Sequence, residues 1–588
     1  MKKIQTNWDL KRYFYSSLTD PKLKKDWNSL TNLTNKFIKK YEGKIKLFKA
    51  KDFIQYFKDQ EKLRITLTQI AFYLNYSQSL NTQDPQVLKK LAEFQFLSTE
   101  LSNKVLFINE EFKLLGAKKL MQYAKQLPEY ENYLYQEAIS LRYLLDEKTE
   151  FALNLKSQAG SNAFVKLYNE LTGSFVFNVA GKKMTDSEVR ALRNNYSKKV
   201  RKQGLEAFQK VYNDDKIQIT LSNAYKSVVR NNTSGVSLRK YNSVMSPRNL
   251  SEQLSDDVVD LLINEVKKSY PLYHRYLKLK AKVMKVKKID YADIYAPLSK
   301  TEKKFTFKES LDIYLTMIKN FDLEFYQYSL DLFNGGRVDV YPQKNKRGGA
   351  YCSYSKGFPS FVLLNFTGKL NDASTIAHEF GHAMHGHLSQ KQKAEVYDAP
   401  LPLAETASVF NELMLSHNLL NKLNKKEKVA FLAEKIEQVL ATIHRQIQYV
   451  SFEKRVHETL FSGKDLSRQD LNMIWREETI HLMGKNVKFN VPAEKDATWT
   501  SIPHIFHAPF YCYSYAFGNL LSFALYSNYE KEGVKFVPKY KELLAAGNSL
   551  PPEKLLKKYG FDVNKKEFYQ NGLDILKKMI DEFEMLVK

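Results

Sequence analysis

His378-Glu379-Phe380-Gly381-His382 sits inside the segment Asp372-Ala-Ser-Thr-Ile-Ala-His-Glu-Phe-Gly-His-Ala-Met-His385. On a helix, residues four apart share a face, so the two histidines present their imidazoles to a single point. Glu379 lies one position round, close to that point and offset from it. Two nitrogen donors beside a carboxylate are what metal-assisted hydrolysis requires: a Zn²⁺ site and a base able to take a proton from water. The flanking residues predict a buried helix. Ile376, Ala377, Phe380, Ala383 and Met384 are apolar, and Asn371-Asp372 offers a side-chain oxygen as a cap. Gly381 costs a helix about 1 kcal/mol relative to alanine. Close approach of another backbone or of a ligand would account for it.

A catalytic zinc site needs a third protein ligand and an open fourth position. The metzincin pattern would place glycine at 385 and histidine at 388, where this chain has His385 and Leu388. The remaining common donor is a glutamate on a separate helix, and Glu395, Glu405 and Glu412 are the candidates. Glu405 and Glu412 fall in Leu403-Ala-Glu-Thr-Ala-Ser-Val-Phe-Asn-Glu-Leu-Met-Leu415, which reads as one buried helix. They are seven apart and therefore share a face. One can ligate the metal while the other orients a histidine, and spacing does not assign the two roles.

Donors for a developing oxyanion are best sought in His504-Ile-Phe-His-Ala-Pro-Phe-Tyr-Cys-Tyr-Ser-Tyr-Ala-Phe-Gly518. Tyr511, Tyr513 and Tyr515 would alternate across a strand, whereas Tyr511 and Tyr515 would share a helix face. The apolar continuation Leu520–Tyr526 favours helix. His385, seven beyond His378, reads as a pocket-lining or core histidine. Val338–Phe366 is the main β candidate, with Asn345-Lys-Arg-Gly-Gly as a flexible turn and extended segments at Ala350–Tyr354 and Phe361–Phe366. An edge strand there would hold a peptide extended through main-chain hydrogen bonds, which marks Gly349, Ala350, Tyr351, Phe361 and Leu363 as substrate-binding.

The chain at this point resembles the M3 family of zinc oligopeptidases, which includes thimet oligopeptidase and neurolysin, and specifically its oligoendopeptidase F branch. The likeness rests on His378–His385 followed by Ala404-Glu-Thr-Ala-Ser-Val-Phe-Asn-Glu412. It extends to Trp8-Asp-Leu10, Lys280-Ala-Lys282, Tyr295–Leu298, Gly348–Tyr351, Pro359–Asn365 and His504–Tyr511. The resemblance implies one Zn²⁺ per chain held by His378, His382 and Glu405, with Glu379 as general base and Glu412 beside the ligands. It implies that His504, Tyr511 and Tyr515 contact the substrate and the transition state, with His507 and Tyr513 in reserve. It also implies a mainly α, two-lobed, clam-shaped zincin with a small sheet beside the zinc helix and a deep channel. Such a channel limits substrates to short peptides.

Residues 20–172 read as amphipathic helices, including Lys51–Tyr76 and Asp84–Phe112. A turn at Gly181-Lys182 marks the first strand-like segment, and Thr185-Asp-Ser-Glu188 is a capping box opening a helix that continues past Val200. This places an N-terminal lobe at 1–184 and a catalytic region at 185–588. A chain of 588 residues with 43% hydrophobic content is expected to form two lobes. No run approaches the ~20 apolar residues of a membrane span. The start, Met1-Lys-Lys-Ile-Gln, lacks an apolar signal core, and the two cysteines form no disulfide framework. A cytoplasmic enzyme without membrane or nucleic-acid partners is expected. The net charge of +26 comes from scattered, acid-interleaved basic residues with no nucleic-acid motif. A basic nucleic-acid-binding protein is thus the minor alternative, and a zinc exopeptidase the nearer one.

Overall fold

Aspartates open the first helices. Asp20 accepts from the Lys22 N–H at 2.8 Å ahead of Pro21–Tyr41, and Asp84 accepts from the Gln86 N–H at 2.9 Å ahead of Pro85–Lys104. Proline takes the first helical position in both, where no N–H is required. Ala50–Leu80 runs between them. The structure is a computed structural model that describes residues 4–300 and 304–588; the polar start Met1-Lys2-Lys3 lies outside them.

The helix expected over Asp84–Phe112 is two, Pro85–Lys104 and Phe107–Leu115. Their apolar faces serve different cores. Leu91, Phe94 and Leu101 join Trp8, Phe14 and Tyr76, while Phe112 and Leu115 join Phe53 and Tyr56. The strand-like segment folds as a hairpin of β1 (Phe177–Val179) and β2 (Lys182–Met184). Ala180 and Gly181 take φ of 51° and 85° at its turn, the left-handed pair that suits a two-residue hairpin.

The capping box is present, with Glu188 accepting from the Thr185 N–H at 2.8 Å. Its helix ends at Ala191 and does not continue past Val200. Asn195 accepts from the Ser197 N–H at 2.9 Å, a local turn that competes with helix. A new helix then starts at Lys198. Apolar packing crosses residue 184: Tyr168 and Phe177 share one cluster with Tyr212, Phe452 and Trp499.

Five further strands follow: β3 (Ile289–Asp290), β4 (Val338–Asp339), β5 (Tyr351–Ser355), β6 (Phe358–Leu363) and β7 (Val487–Lys488). β3 pairs with β7 in parallel. The other three form a sheet ordered β4-β6-β5, with β6 parallel to β4 and antiparallel to β5. The Asn345–Gly349 connection is pinned rather than flexible. Thr82 N–H donates to the Asn345 carbonyl and Arg347 N–H to the Ser79 carbonyl, each at 2.8 Å. The buried Lys346 ammonium lies 2.6 Å from Asp339, whose other oxygen accepts from the Trp8 N–H at 3.2 Å.

The fold is predominantly helical with small sheets, as the sequence predicts. Its largest core runs from Val244 to Phe583 and encloses the helix Leu370–Ser389, the histidine helix, beside β5 and β6. No helix among the described residues is long and apolar enough to cross a membrane.

Candidate active site

The histidine helix begins at Leu370, one residue earlier than its expected cap. Asp372 works from inside the first turn, accepting from the Thr367 N–H at 2.6 Å and the Lys369 N–H at 3.1 Å. Four-residue spacing places the His378 and His382 rings side by side, with Nε2 atoms 3.2 Å apart. The glutamate segment is not one helix. It breaks into Leu401–Ala404 and Thr406–Leu420, with Glu405 at the joint (φ −86°, ψ 3°). That break aims the Glu405 carboxylate at the histidines. Its Oε2 lies 3.5 Å from His378 Nε2 and 3.4 Å from His382 Nε2.

These edges test whether the residues fit a metal. Four ligands around a tetrahedral ion with bonds of about 2.1 Å stand about 3.4 Å from one another. The three donor atoms already form such a triangle, leaving the fourth vertex free. Among the described residues, this is the one group of three histidine, cysteine or carboxylate side chains placed to hold a metal ion.

Neighbouring side chains hold the donors. Glu412 Oε1 lies 2.6 Å from His378 Nδ1, so Nδ1–H donates to the carboxylate and Nε2 keeps its lone pair for a metal. Lys435 stands 3.7 Å from the other Glu412 oxygen. Ser408 Oγ donates to Glu405 Oε2 at 2.7 Å, and Asn411 donates to the Ala377 carbonyl at 3.2 Å. In the metal-free protein, burial disfavours charge on His378. The hydrogen bond and charge of Glu412 outweigh it and raise the pKa to about 9. Burial likewise opposes Glu405 ionisation, but the hydrogen bond and charge of His382 bring it down to about 2.

Gly381 allows the two helices to touch. A Cβ there would stand 2.4 Å from the Ala407 carbonyl oxygen, which is backbone and cannot yield. Glu379, 6% exposed, is raised above the ordinary carboxylate range by burial, against the lowering influence of His378 and His382. Such a shift moves a carboxylate toward the range in which a general base works. His385 is buried and interacts with the Ala404 backbone; burial lowers its pKa to about 4. It is a core histidine beside the joint at Glu405. Glu395 lies elsewhere, in the turn Ala394–Val396.

His504, Tyr511 and Tyr515 come together. Their ring centroids are 5.8 Å (His504 to Tyr511), 6.1 Å (His504 to Tyr515) and 5.3 Å (Tyr511 to Tyr515) apart. Tyr511 sits in the turn before the helix Tyr513–Glu532, and Tyr515 is in its first turn. On that helix Ser522 Oγ donates to the Glu405 carbonyl at 3.3 Å, and Glu405 is among the charges that raise the Tyr515 pKa after burial and the Tyr511 hydrogen bond. The two reserve residues point away. His507 Nε2 lies 2.7 Å from Asn169 Oδ1 at the surface, and Tyr513 is fully buried in the main core.

Sequence reading missed Glu453. Fully buried, it accepts from the Phe510 N–H at 2.9 Å and holds that non-glycine residue at φ 60° just before Tyr511. No sequence signal links it to a turn 57 residues away.

β5 is one of the two edge strands of its sheet, and its outer side carries no strand partner among the described residues. Gly349 and Ala350 lead into it, the Gly349 carbonyl accepting from Asn365 Nδ2 at 2.6 Å. The Tyr351 hydroxyl is committed to Ser79 at 2.9 Å. Phe361 and Leu363 are not substrate-binding. They lie on the central strand β6 with both edges paired, and both are 0% exposed. Phe361 packs among the rings of Trp8, Tyr13, Phe14 and Tyr76. On β5 the residues turned toward the histidine helix are Cys352, whose thiol is raised first by burial and then by the Glu379 charge, and Tyr354, whose ring packs on Gly386.

Residues 191–575 match Peptidase family M3. The chain is 30% identical over 418 residues to the chromosomal oligoendopeptidase F of Lactococcus lactis subsp. cremoris, covering 70% of this chain and 69% of that protein. It is 27% identical over 597 residues to oligopeptidase PepF of Bacillus subtilis, covering 100% of this chain and 88% of the relative. Crystal structures share the fold. One from Chlamydophila abortus gives a TM-score of 0.86 at 23% identity over 99% of this chain and 98% of its own. Oligoendopeptidase-F from Enterococcus faecium gives 0.71 at 19% identity over 96% and 99%. With the match covering well over half its length, the chain belongs to peptidase family M3.

Proposed function

We propose that this protein is a zinc-dependent oligoendopeptidase that hydrolyses internal bonds of short peptides. The triangle of His378 Nε2, His382 Nε2 and Glu405 Oε2, with edges of 3.2, 3.5 and 3.4 Å, carries the reading. One Zn²⁺ held there would supply Lewis acidity, acidifying water and polarising a carbonyl. The protein's own groups do the rest. Glu379 takes the proton of the attacking water and later delivers it to the departing amine. Glu412 keeps His378 in the tautomer that offers Nε2. Tyr511, Tyr515 and His504 supply donors to the carbonyl oxygen as negative charge develops on it. The open edge of β5 holds the substrate backbone extended through Gly349, Ala350 and Tyr351. A reducing, cytoplasmic location suits the two free cysteines.

A short quenched peptide blocked at both ends tests this reading. The zinc-loaded protein should cut it internally and leave a folded protein intact. Loss of cleavage on blocking the ends would make the enzyme an exopeptidase, and rapid digestion of the folded protein would remove the length limit.

A further inference from the structure

Beside His504 lies a cavity of about 310 Å³ with four arginines and no aspartate or glutamate in its wall. Two of the arginines are neutralised from behind. Arg201 pairs with Asp293 at 2.7 Å, both buried, and Arg190 pairs with Asp186 at 2.5 Å. The other two have no carboxylate partner among the described residues. Arg193 stacks over the Tyr295 ring at 4.8 Å. Arg445 donates to the Tyr449 hydroxyl at 2.7 Å and the Tyr295 hydroxyl at 2.8 Å. A phenol oxygen accepts a guanidinium hydrogen bond without cancelling its charge, and the phenol hydrogen is left free to donate.

Several enclosed basic groups elsewhere in this protein meet acids, although the buried Arg337 is held by the Tyr328 hydroxyl and the Ser360 carbonyl instead. Arg476 pairs with Asp496 at 2.7 Å, Arg239 with Glu150 at 2.6 Å and Lys346 with Asp339 at 2.6 Å. Arg193 is exposed and Arg445 half-buried, so the two guanidiniums facing this hollow leave an accessible positive charge that an anion would pair with.

The cavity's place in the fold narrows the guest. His504 lines it and also packs against Tyr511 and Tyr515, and Tyr515 feels the Glu405 charge. A peptide lying across the triangle and the tyrosines would send one end into the hollow. The planar forks of arginine match a carboxylate in two parallel hydrogen bonds.

We propose that the hollow between Arg193 and Arg445 binds a carboxylate of the peptide substrate, either its C-terminus or an aspartate or glutamate side chain. This rests on the oligopeptidase reading and adds to it a selection for anionic ends and a physical anchor for short substrates.

Peptide pairs test it on the zinc-loaded protein: a free C-terminal acid against its amide, and an internal glutamate against glutamine. At least one pair should show the carboxylate form preferred by about tenfold in kcat/KM, mainly through KM, the scale of a charge-assisted hydrogen bond. The pair that shows it names the source of the carboxylate. In the Arg193→Gln/Arg445→Gln double variant, that preference should vanish. Equal cleavage of both members of both pairs by the unsubstituted protein would overturn the proposal, as would a preference that survives in the variant. A second measurement needs neither substitution nor turnover. In the metal-free protein, phenylglyoxal modification mapped by mass spectrometry should show Arg193 and Arg445 protected by the carboxylate peptide and not by its neutral counterpart. Equal labelling under both would overturn the site. If no peptide is cleaved at all, the hydrolytic reading fails, and the protection experiment still decides the cavity.

Discussion

Glu379→Gln should keep its zinc and lose turnover by about 10²–10⁴-fold, the range that positioned general bases contribute. Glutamine has the size of glutamate but cannot accept the water proton. Glu379 is outside the donor triangle, so the metal loses no ligand. Nor does the fold lose a charge pair: burial already disfavours the ionised carboxylate at this position, and a neutral amide relieves that cost. Zinc content and melting temperature should therefore stay near those of the unsubstituted protein while kcat collapses. A kcat within a fewfold of the original would remove Glu379 from the mechanism.

Glu405→Ala and Glu412→Ala should separate two roles that spacing leaves tied. Glu405 supplies the third vertex of the triangle, and its loss leaves two imidazoles alone, so zinc affinity should fall most in that variant. Glu412 touches His378 on its far nitrogen. Its loss frees the imidazole to turn and leaves Lys435 without its carboxylate neighbour. Partners of this kind are worth about 10–100-fold in metal affinity. Competition against a chromophoric chelator measures both. The order Glu405→Ala below Glu412→Ala is expected, and the reverse order would exchange their assignments.

The histidine pair could be read from the chain because the i, i+4 rule is local and a helix enforces it. Gly381 was legible for a related reason: a glycine amid apolar helix residues predicts close approach, and the Ala407 backbone supplies it. Glu405 and Glu412 were not separable by spacing, since residues seven apart share a face on an unbroken helix. What distinguishes them is the break at Glu405, where the backbone leaves helical geometry and carries the carboxylate to the metal side. Phe361 and Leu363 misled for a different reason. An alternating strand shows which residues share a face, not which face is covered, and here Trp8, Phe14 and Tyr76 arrive from the opposite end of the chain. Arg193 and Arg445 share no sequence signal at all. They come together where the capping-box helix, expected to run past Val200, stops at Ala191 and a new helix starts at Lys198.

Zinc titration into chelator-stripped protein, with cleavage of a short end-blocked peptide followed throughout, tests the three-donor site most directly. The rate should rise in proportion to added zinc, level at one equivalent per chain, and yield internal fragments. Full activity in the stripped protein, or a full zinc complement without any cleavage, would contradict the assignment of His378, His382 and Glu405 as the centre of a peptidase.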